Sequence, residues 1–270
     1  HAPLVRVLYN PQDLGVGGAI VTAYKAAIAD GMDIVVKIDG DGQMNPALLH
    51  HFVRPLLRGE ADYTKGNRFF RPESVQGMPP VRLFGNAVLS FMTKLSCGYW
   101  NIMDPTNGYT AARTCVLAEL PLDKLEQRYF FETDMLFRLN TVRAVVKDVP
   151  MDAVYADEES HLKIGKVLPE FLRKHASRLW RRYVYSYLVR DFNVGSVYSL
   201  VGLVLLTFGL FFGLYGWISG VQHAAPATSG TVMLAALPVI VGIQCWIAFL
   251  HHGVSNVPLG PLGRLRDGAE

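Results

Sequence analysis

The sequence predicts an α/β domain followed by a basic amphipathic helix and two membrane-spanning helices. Three observations carry that prediction. Strand-like apolar runs alternate with helix-like runs from Leu4 to Met151, and a β-α-β-α-β alternation favours a largely parallel sheet with helices on both faces. Charge then stops: Phe192 to Gly263 contains no Asp, Glu, Lys or Arg. Finally, the apolar run before Asp39 feeds the stretch Asp39-Gly40-Asp41-Gly42-Gln43-Met44-Asn45-Pro46. Two carboxylates and an amide thereby fall at the carboxyl end of a strand, where open α/β sheets bind ligands.

Composition agrees with a two-part chain. Half of the 270 residues are hydrophobic, and the mean hydropathy is +0.21. The excess is concentrated after Phe192, and the residues before it have ordinary soluble composition. The net charge of +3 does not argue for nucleic acid as a partner. Basic residues instead crowd one place, with Lys163, Lys166, Arg173, Lys174, Arg178, Arg181, Arg182 and Arg190 just ahead of the apolar tail. Cys97, Cys115 and Cys245 are few, odd in number and widely spaced, which suits a reducing compartment rather than a disulfide framework or a zinc site.

The elements follow in order. Leu4 to Tyr9 reads as a first strand, already interior in character, so a natural N-terminal segment is expected ahead of His1. Asn10-Pro11-Gln12-Asp13 is a turn. Leu14-Gly15-Val16-Gly17-Gly18-Ala19 opens a helix over Ala19 to Asp30, with Gly31 as its stop. A glycine loop at a helix start can cradle phosphate or can let the helix pack closely. The register is wrong for a dinucleotide fingerprint, since Ile20 stands where a third Gly or Ala belongs, so close packing is the default. Asp33 to Ile38 is the second strand. Asp39, Asp41 and Gln43 then read in two ways: as oxygen ligands of a divalent cation set against a nucleotide diphosphate, or as an Asp/Gly turn that caps the next helix.

That helix starts at Asn45-Pro46 and runs through Leu57. Ala61 to Arg68 is a third strand with a polar tip. Phe69 to Pro80 is a loop rich in Pro, Gly and Arg, and loops of that length are often functional. Val81 to Leu95 is a helix bearing Arg82 and Asn86 on successive turns. Asp104-Pro105-Thr106-Asn107-Gly108-Tyr109-Thr110 is a polar turn. Phe130 to Met135 begins an amphipathic helix with Glu132 and Asp134 in its first turn, where carboxylates also simply match the helix dipole. Val145 to Met151 is a further strand, and Ala156 to Lys163 a charged loop.

Lys166 to Arg190 has helical spacing of apolar and aromatic residues, with the basic residues mostly on the other face. Such a helix ahead of an apolar span reads as lying in the membrane interface. Val194 to Val221 and Thr231 to Leu250 are each long enough to cross a bilayer, which takes roughly 20 apolar residues. The spacings Gly209/Gly213 and Gly216/Gly220 suit close helix packing. The connecting loop has no Lys or Arg, whereas basic residues precede the first span and Arg264 and Arg266 follow the second. The positive-inside rule then places the soluble domain and both chain ends in the cytoplasm. The expected segments are 1–163 for the soluble domain, 164–192 for the juxtamembrane helix, 193–252 for the hairpin and 253–270 for the tail.

Taken together, these residues resemble the family 2 glycosyltransferases of GT-A fold (Rossmann-like, with a mostly parallel sheet), in particular the polyprenyl-phosphate glycosyltransferases. The resemblance runs from about Leu4 to Lys163. It is carried by Asn10 with Gly15-Val16-Gly17-Gly18-Ala19, by Asp39-Gly40-Asp41-Gly42-Gln43, by Gly66-Asn67-Arg68, by Arg82 with Asn86, by Asp104 to Tyr109, by Glu132, and by Ser160 with Lys163. It implies a membrane-bound enzyme of the cytoplasmic membrane that moves one sugar from a UDP- or GDP-linked donor to a polyprenyl phosphate, with inversion. It implies Mg²⁺ or Mn²⁺ held by Asp39, Asp41 and Gln43. Donor or acceptor phosphates would be held by Asp39, Arg68, Arg82 and Asn86, with Ser160 and Lys163 in a loop that closes over the site. Catalytic roles would fall to Asp39, Asp41, Arg82 and Glu132, and relatives suggest a homo-oligomer. The family's N-terminal base-binding strand has no counterpart here, and Ser160 and Lys163 are two residues apart where relatives often have them adjacent. One rival is a processive polysaccharide synthase, which carries a Gln-x-x-Arg-Trp motif that this sequence lacks. Another is a non-catalytic membrane-anchored partner with a degenerate domain, against which the intact Asp39/Asp41/Gln43 set argues.

Overall fold

The structure is a computed structural model that describes residues 5–70, 80–152 and 164–262, without the side chains of residues 81, 82 and 164–167. The chain forms two compact units, His1–Arg182 with Val257–Glu270, and Tyr183–Asn256.

The first unit is α/β, as its alternation predicts. Its elements are α1 (Gly15–Ala29), β1 (Ile34–Lys37), a 3-10 turn at Pro46–Leu48 leading into α2 (Leu49–Leu57), β2 (Tyr63–Asn67), α3 (Pro80–Cys97), β3 (Thr110–Arg113), the short α4 (Thr114–Leu117), α5 (Phe131–Thr141), β4 (Val146–Pro150) and α6 (Ile164–Tyr183). The sheet order is β1-β3-β2-β4. β3 runs antiparallel to both of its neighbours, and only β2 and β4 pair in parallel. The largely parallel sheet expected from the alternation is therefore corrected to a mixed one. β1, β2 and β4 share a direction, and β3 is wedged between them in reverse. Its four residues, Thr-Ala-Ala-Arg, follow a polar turn without a break and carry no β-branched apolar signal beyond Thr110.

The two alanines are what make β3 fit. Neighbouring strand residues point to opposite faces. Ala112 packs in one core layer with Tyr24, Tyr63 and the α5 residues Met135, Leu136 and Leu139. Ala111 belongs to the other layer, with Phe52 and Leu56 of α2, Tyr109, Val145 and Val149. Phe52 and Tyr109 stack there at 3.9 Å.

A second correction concerns Leu4 to Tyr9. Residues 5–9 are exposed and form no strand. Among the described residues no strand pairs with them, the Arg6–Asp30 ion pair being a side-chain contact, and an isolated strand has no ladder to repay its ordering. The glycine loop packs closely, as its default reading has it. A Cβ on Gly17 would lie 2.3 Å from the Glu126 carbonyl, and Gly15 takes a φ of +68°. The Gly17 N–H donates to the Gln127 carbonyl at 2.8 Å, so the start of α1 is capped by backbone rather than open to a phosphate.

Helix α6 shows which of its faces is covered. Lys174 and Arg178 lie on the packed side with Phe171 and His175, while Leu168, Leu172 and Trp180 are exposed. Arg182 Nη2 donates to the Leu95 carbonyl at 2.9 Å. The His175 ring stands edge-on to Phe130 and shares a hydrogen bond of 2.9 Å with the Ser96 hydroxyl, and burial pushes its pKa down to about 4. After residue 256 the chain rejoins this unit: Leu262 N donates to the fully buried Asp62 carboxylate at 2.9 Å, and Val257 and Leu262 pack against the core.

The second unit is a helical hairpin. α7 (Val194–Gln222) and α8 (Ser229–Ser255) have mean hydropathy of 2.2 each and are long and apolar enough to cross a membrane. Asn193 caps α7 through Gly195 N and Ser196 N, and the Ser196 hydroxyl accepts from Asn193 N in return. The tight glycines only partly match the expected pairs. Gly209 does lie against α8, where a Cβ would meet the Ala235 carbonyl at 2.8 Å. Other close approaches come from Gly195 against His252 and Gly202 against Trp246 on α7, and from Gly242 against Leu206 on α8.

Candidate functional site

The site grows from the end of β1. Lys37 is the last residue of that strand and the only one of its four that is buried. Its ammonium lies 3.0 Å from Asp39 Oδ1 and 3.5 Å from Glu132 Oε1. It also donates to the Gly108 carbonyl at 3.1 Å. Three separate pieces of chain, the β1 turn, the turn before β3 and the first turn of α5, therefore meet at one nitrogen. Gly108 is required for this approach. A Cβ there would sit 2.3 Å from Asp39 Oδ2 and 2.7 Å from Lys37 Nζ.

The turn after β1 divides its labour. Asp41 Oδ1 accepts from Gln43 N at 3.0 Å, and Gly42 takes a φ of +76°, so Asp41 shapes the turn. Capping of the next helix falls to Asn45, whose Oδ1 accepts from Ala47 N at 2.9 Å. Asp39 is engaged with Lys37 and caps nothing. The reading of this stretch as a plain helix cap therefore covers Asn45 and leaves Asp39 unexplained.

Among the described residues no three His, Cys, Asp or Glu side chains converge on one point. The turn offers two carboxylates and one amide, all hard oxygen donors, on a partly exposed edge. Mg²⁺ is characteristically bound by one or two carboxylates, substrate phosphates and water rather than by a full protein cage. Asp39 already holds a cation, the Lys37 ammonium, between itself and Glu132. The residues fit such an ion shared with a diphosphate.

A second cluster lies alongside. Arg68 grips Asp104, with Nε donating to Oδ2 at 2.7 Å and Nη2 to Oδ1 at 3.1 Å. Its backbone N–H donates to the same carboxylate, which is fully buried. Arg68 thus ties the end of β2 to the Asp104–Tyr109 turn. Asn107 closes that turn, accepting from Tyr109 N at 2.9 Å, and its carbonyl accepts from Lys65 Nζ. Lys65 is buried. Burial lowers its pKa to about 8, against the pull of the Glu132 and Asp104 carboxylates.

Glu132 opens α5 and faces Lys37. Its neighbour Asp134 does something else. It is fully buried and accepts from Glu126 N at 3.1 Å, Arg138 Nε at 3.0 Å and Arg178 Nε at 2.6 Å. Glu126 takes Arg178 Nη2 and Lys174 Nζ as well. Asp134 is thus the hub that fastens α6 to α5.

The structure brings Asp39, Asp41, Gln43 and Glu132 to one region, with Arg68 on the adjoining turn. Arg82 is placed only by its backbone in α3, one turn before Asn86, which is partly buried. Ser160 and Lys163 lie outside the described residues. A cavity of about 400 Å³ beside β4 is lined by Leu48, His51, Pro55, Phe70 and Asp148 to Asp152 and involves none of the predicted residues. The residues that sequence reasoning missed are Lys37 and Lys65. The available signal was a lysine inside each of two otherwise strand-like runs, where an unpaired charge is costly.

The chain is similar to several known proteins. Residues 1–120 match the family described as Glycosyl transferase family 2. The chain is 30% identical over 153 residues to a UDP-N-acetylglucosamine–dolichyl-phosphate N-acetylglucosaminyltransferase of Methanococcus voltae, covering 57% of this chain and 61% of that protein. It is 29% identical over 153 residues to an undecaprenyl-phosphate mannosyltransferase of Micrococcus luteus, covering 56% and 62% respectively. The chain thus spans about three fifths of the length of these curated relatives. Among solved structures it is similar to glucosyl-3-phosphoglycerate synthase from Mycobacterium tuberculosis in complex with Mn²⁺, UDP-glucose and phosphoglyceric acid, at 22% identity and a TM-score of 0.44, covering 64% of this chain and 57% of that one.

Proposed function

We propose that this chain, whose residues 1–120 carry a glycosyl transferase family 2 domain, is a membrane-anchored glycosyltransferase that moves one sugar from a nucleotide-sugar donor to a polyprenyl phosphate. The observation that carries the proposal is the meeting of Asp39 and Glu132 at the Lys37 ammonium, beside the oxygen-rich Asp41/Gln43 turn. The relatives named for dolichyl- and undecaprenyl-phosphate transfer support the acceptor class. The two long apolar helices support a lipid-bound acceptor.

The chemistry needs few groups. An oxygen of the lipid monophosphate attacks the anomeric carbon of the sugar. The bond from that carbon to the donor diphosphate breaks, and the nucleoside diphosphate leaves with the bonding electrons. In-line attack inverts the anomeric centre. The acceptor phosphate is already anionic near neutral pH, so no strong base is required. Mg²⁺ or Mn²⁺, when bound, offsets charge that builds on the leaving diphosphate. Asp39, Asp41 and Gln43 would hold it. Glu132, paired with Lys37, would accept any proton that the incoming phosphate still carries. Arg82, Asn86, Ser160 and Lys163 are assigned to phosphates by family resemblance. Arg68 contributes chiefly by fixing the turn that carries Gly108.

The anchor completes the reading. Basic residues before the first span favour the cytoplasmic side. The exposed Leu168, Leu172 and Trp180 of α6 suit the lipid interface, so segments 1–163, 164–192, 193–252 and 253–270 act as transferase, interfacial helix, hairpin and tail. A homo-oligomer and a UDP- or GDP-linked donor belong to the same proposal. In a panel of nucleotide sugars with Mn²⁺, one donor is expected to raise the melting temperature of the full-length protein by about 5 °C or more at saturation. Chelation of the metal should remove most of that shift. No response to any UDP- or GDP-sugar would sink the donor assignment.

A further inference from the structure

We propose that Lys37 is a positioning residue: its buried ammonium tethers Asp39, of the turn after β1, to Glu132, in the first turn of α5, and opposes divalent-cation binding at Asp39 until a diphosphate is present. The inference rests on the functional reading above. It deepens that reading by assigning a role to a residue that none of the site motifs contains.

The argument begins with burial. The Lys37 side chain is 7% exposed, and a lysine is seldom so buried unless paired. Its three donors match three acceptors from three chain segments, Asp39, Glu132 and the Gly108 carbonyl. Gly108 lacks the Cβ that would block the last of these contacts. The arrangement is a built site for one ammonium.

Its electrostatic consequences run in two directions. Asp39 and Glu132 carry like charge, and two carboxylates drawn to one point repel unless a cation stands between them. Lys37 supplies that cation, so it fixes the spacing of the two carboxylates. The same positive charge repels a divalent ion approaching Asp39. A bare metal then binds poorly, and a metal that arrives with an anionic diphosphate binds better, because the phosphates offset the repulsion.

A merely structural lysine would behave differently. Its loss would loosen the turn and weaken metal binding and catalysis together. The tether predicts opposite movements.

The test uses full-length protein in detergent micelles. Free Mn²⁺ is titrated by electron paramagnetic resonance, without nucleotide, on the wild type, Lys37→Met, Lys37→Arg and the double variant Lys37→Met/Glu132→Gln. Lys37→Met is expected to bind Mn²⁺ about ten-fold tighter than wild type. Its kcat for sugar transfer is expected to fall roughly 100-fold or more, the scale of a small misplacement of reacting groups. Lys37→Arg keeps the charge, so its Mn²⁺ affinity should stay near that of wild type while kcat is partly retained. The double variant relieves the carboxylate repulsion and guards against a folding failure of Lys37→Met; it should melt near the wild-type temperature and still bind Mn²⁺ more tightly than wild type. Unchanged or weaker Mn²⁺ binding in the folded Lys37→Met or double variant overturns the proposal, as does an undiminished kcat in Lys37→Met. The metal titration needs no transfer, so a failure of the glycosyltransferase reading would show in the wild-type assay, and a failure of the tether in the variants' Mn²⁺ affinity.

Discussion

Asp41→Ala is expected to lower sugar transfer by roughly 100- to 1,000-fold, the range seen when a group that stabilises developing charge is removed. The protein should remain folded and inserted in the membrane. Asp41 is exposed, and its recorded hydrogen bond is one turn contact, from Gln43 N. Losing such a contact costs about 0.5–1.5 kcal/mol, small beside the stability of a domain. The chemical loss is larger because Asp41 is the carboxylate of the turn that, among the described residues, faces no lysine. Asp39 shares its charge with Lys37, so Asp41 carries most of the turn's capacity to hold a divalent cation. Steady-state kinetics on the matched donor, with a melting curve of the same preparation, checks this. Near-normal transfer by the folded variant would show that the turn has a purely structural role.

Asp134→Asn should give the largest loss of stability. Asp134 is fully buried between Arg138 and Arg178, and the substitution keeps its shape while removing its charge. Two guanidinium groups then lose their buried carboxylate; among the described residues Arg178 keeps Glu126 and Arg138 keeps only the neutral Lys124 carbonyl. Breaking a buried pair from one side costs about 3–5 kcal/mol, because the remaining charge stays desolvated. For a domain of this size that corresponds to a fall in melting temperature of roughly 10 °C. Proteolysis should report where the loss occurs. Arg178 joins α6 to α5, so cleavage within α6 is expected to accelerate before cleavage within the sheet. A variant that melts with the wild type would mean that the ion network contributes nothing to holding α6.

The two carboxylates of α5 show how far sequence could go. Glu132 and Asp134 stand two residues apart in the same first helical turn, and both fit a helix N-terminus equally well by spacing. Only the tertiary structure separates them. One meets Lys37 from β1, and the other meets Arg178 from a helix 44 residues further on. No local pattern encodes a partner that distant.

Elements with strong periodicity were legible. The two long apolar helices, α5 and the strands at Ile34–Lys37, Tyr63–Asn67 and Val146–Pro150 fall where apolar spacing places them, and α1 does so apart from starting at Gly15 rather than Ala19, the glycine stretch being its first turn. β3 was not, because Thr-Ala-Ala-Arg owes its strand state to its neighbours. Ala111 and Ala112 are selected by the crowding of Phe52, Tyr109, Tyr24 and Tyr63 on the two faces rather than by any strand preference of alanine. Missing β3 turned a mixed sheet into a parallel one. The converse failure was Leu4 to Tyr9, where a good strand pattern lacks a partner among the described residues. In the site, the Asp39 turn was visible as a motif, but Lys37 was hidden inside the strand pattern that made the motif recognisable. The glycine loop shows the same dependence on context. Its phosphate-cradle and close-packing readings share one sequence, and the Gln127 carbonyl bonded to Gly17 N decides for packing.

The central claim is transfer of a single sugar onto a polyprenyl phosphate. It is tested most directly by mass spectrometry of the lipid extract after the full-length protein has been incubated with nucleotide sugars, polyprenyl phosphate and Mn²⁺. The account predicts one new lipid, heavier than the starting polyprenyl phosphate by one sugar residue. Absence of any lipid-linked product from every donor, or a ladder of lipids bearing growing sugar chains, would contradict it.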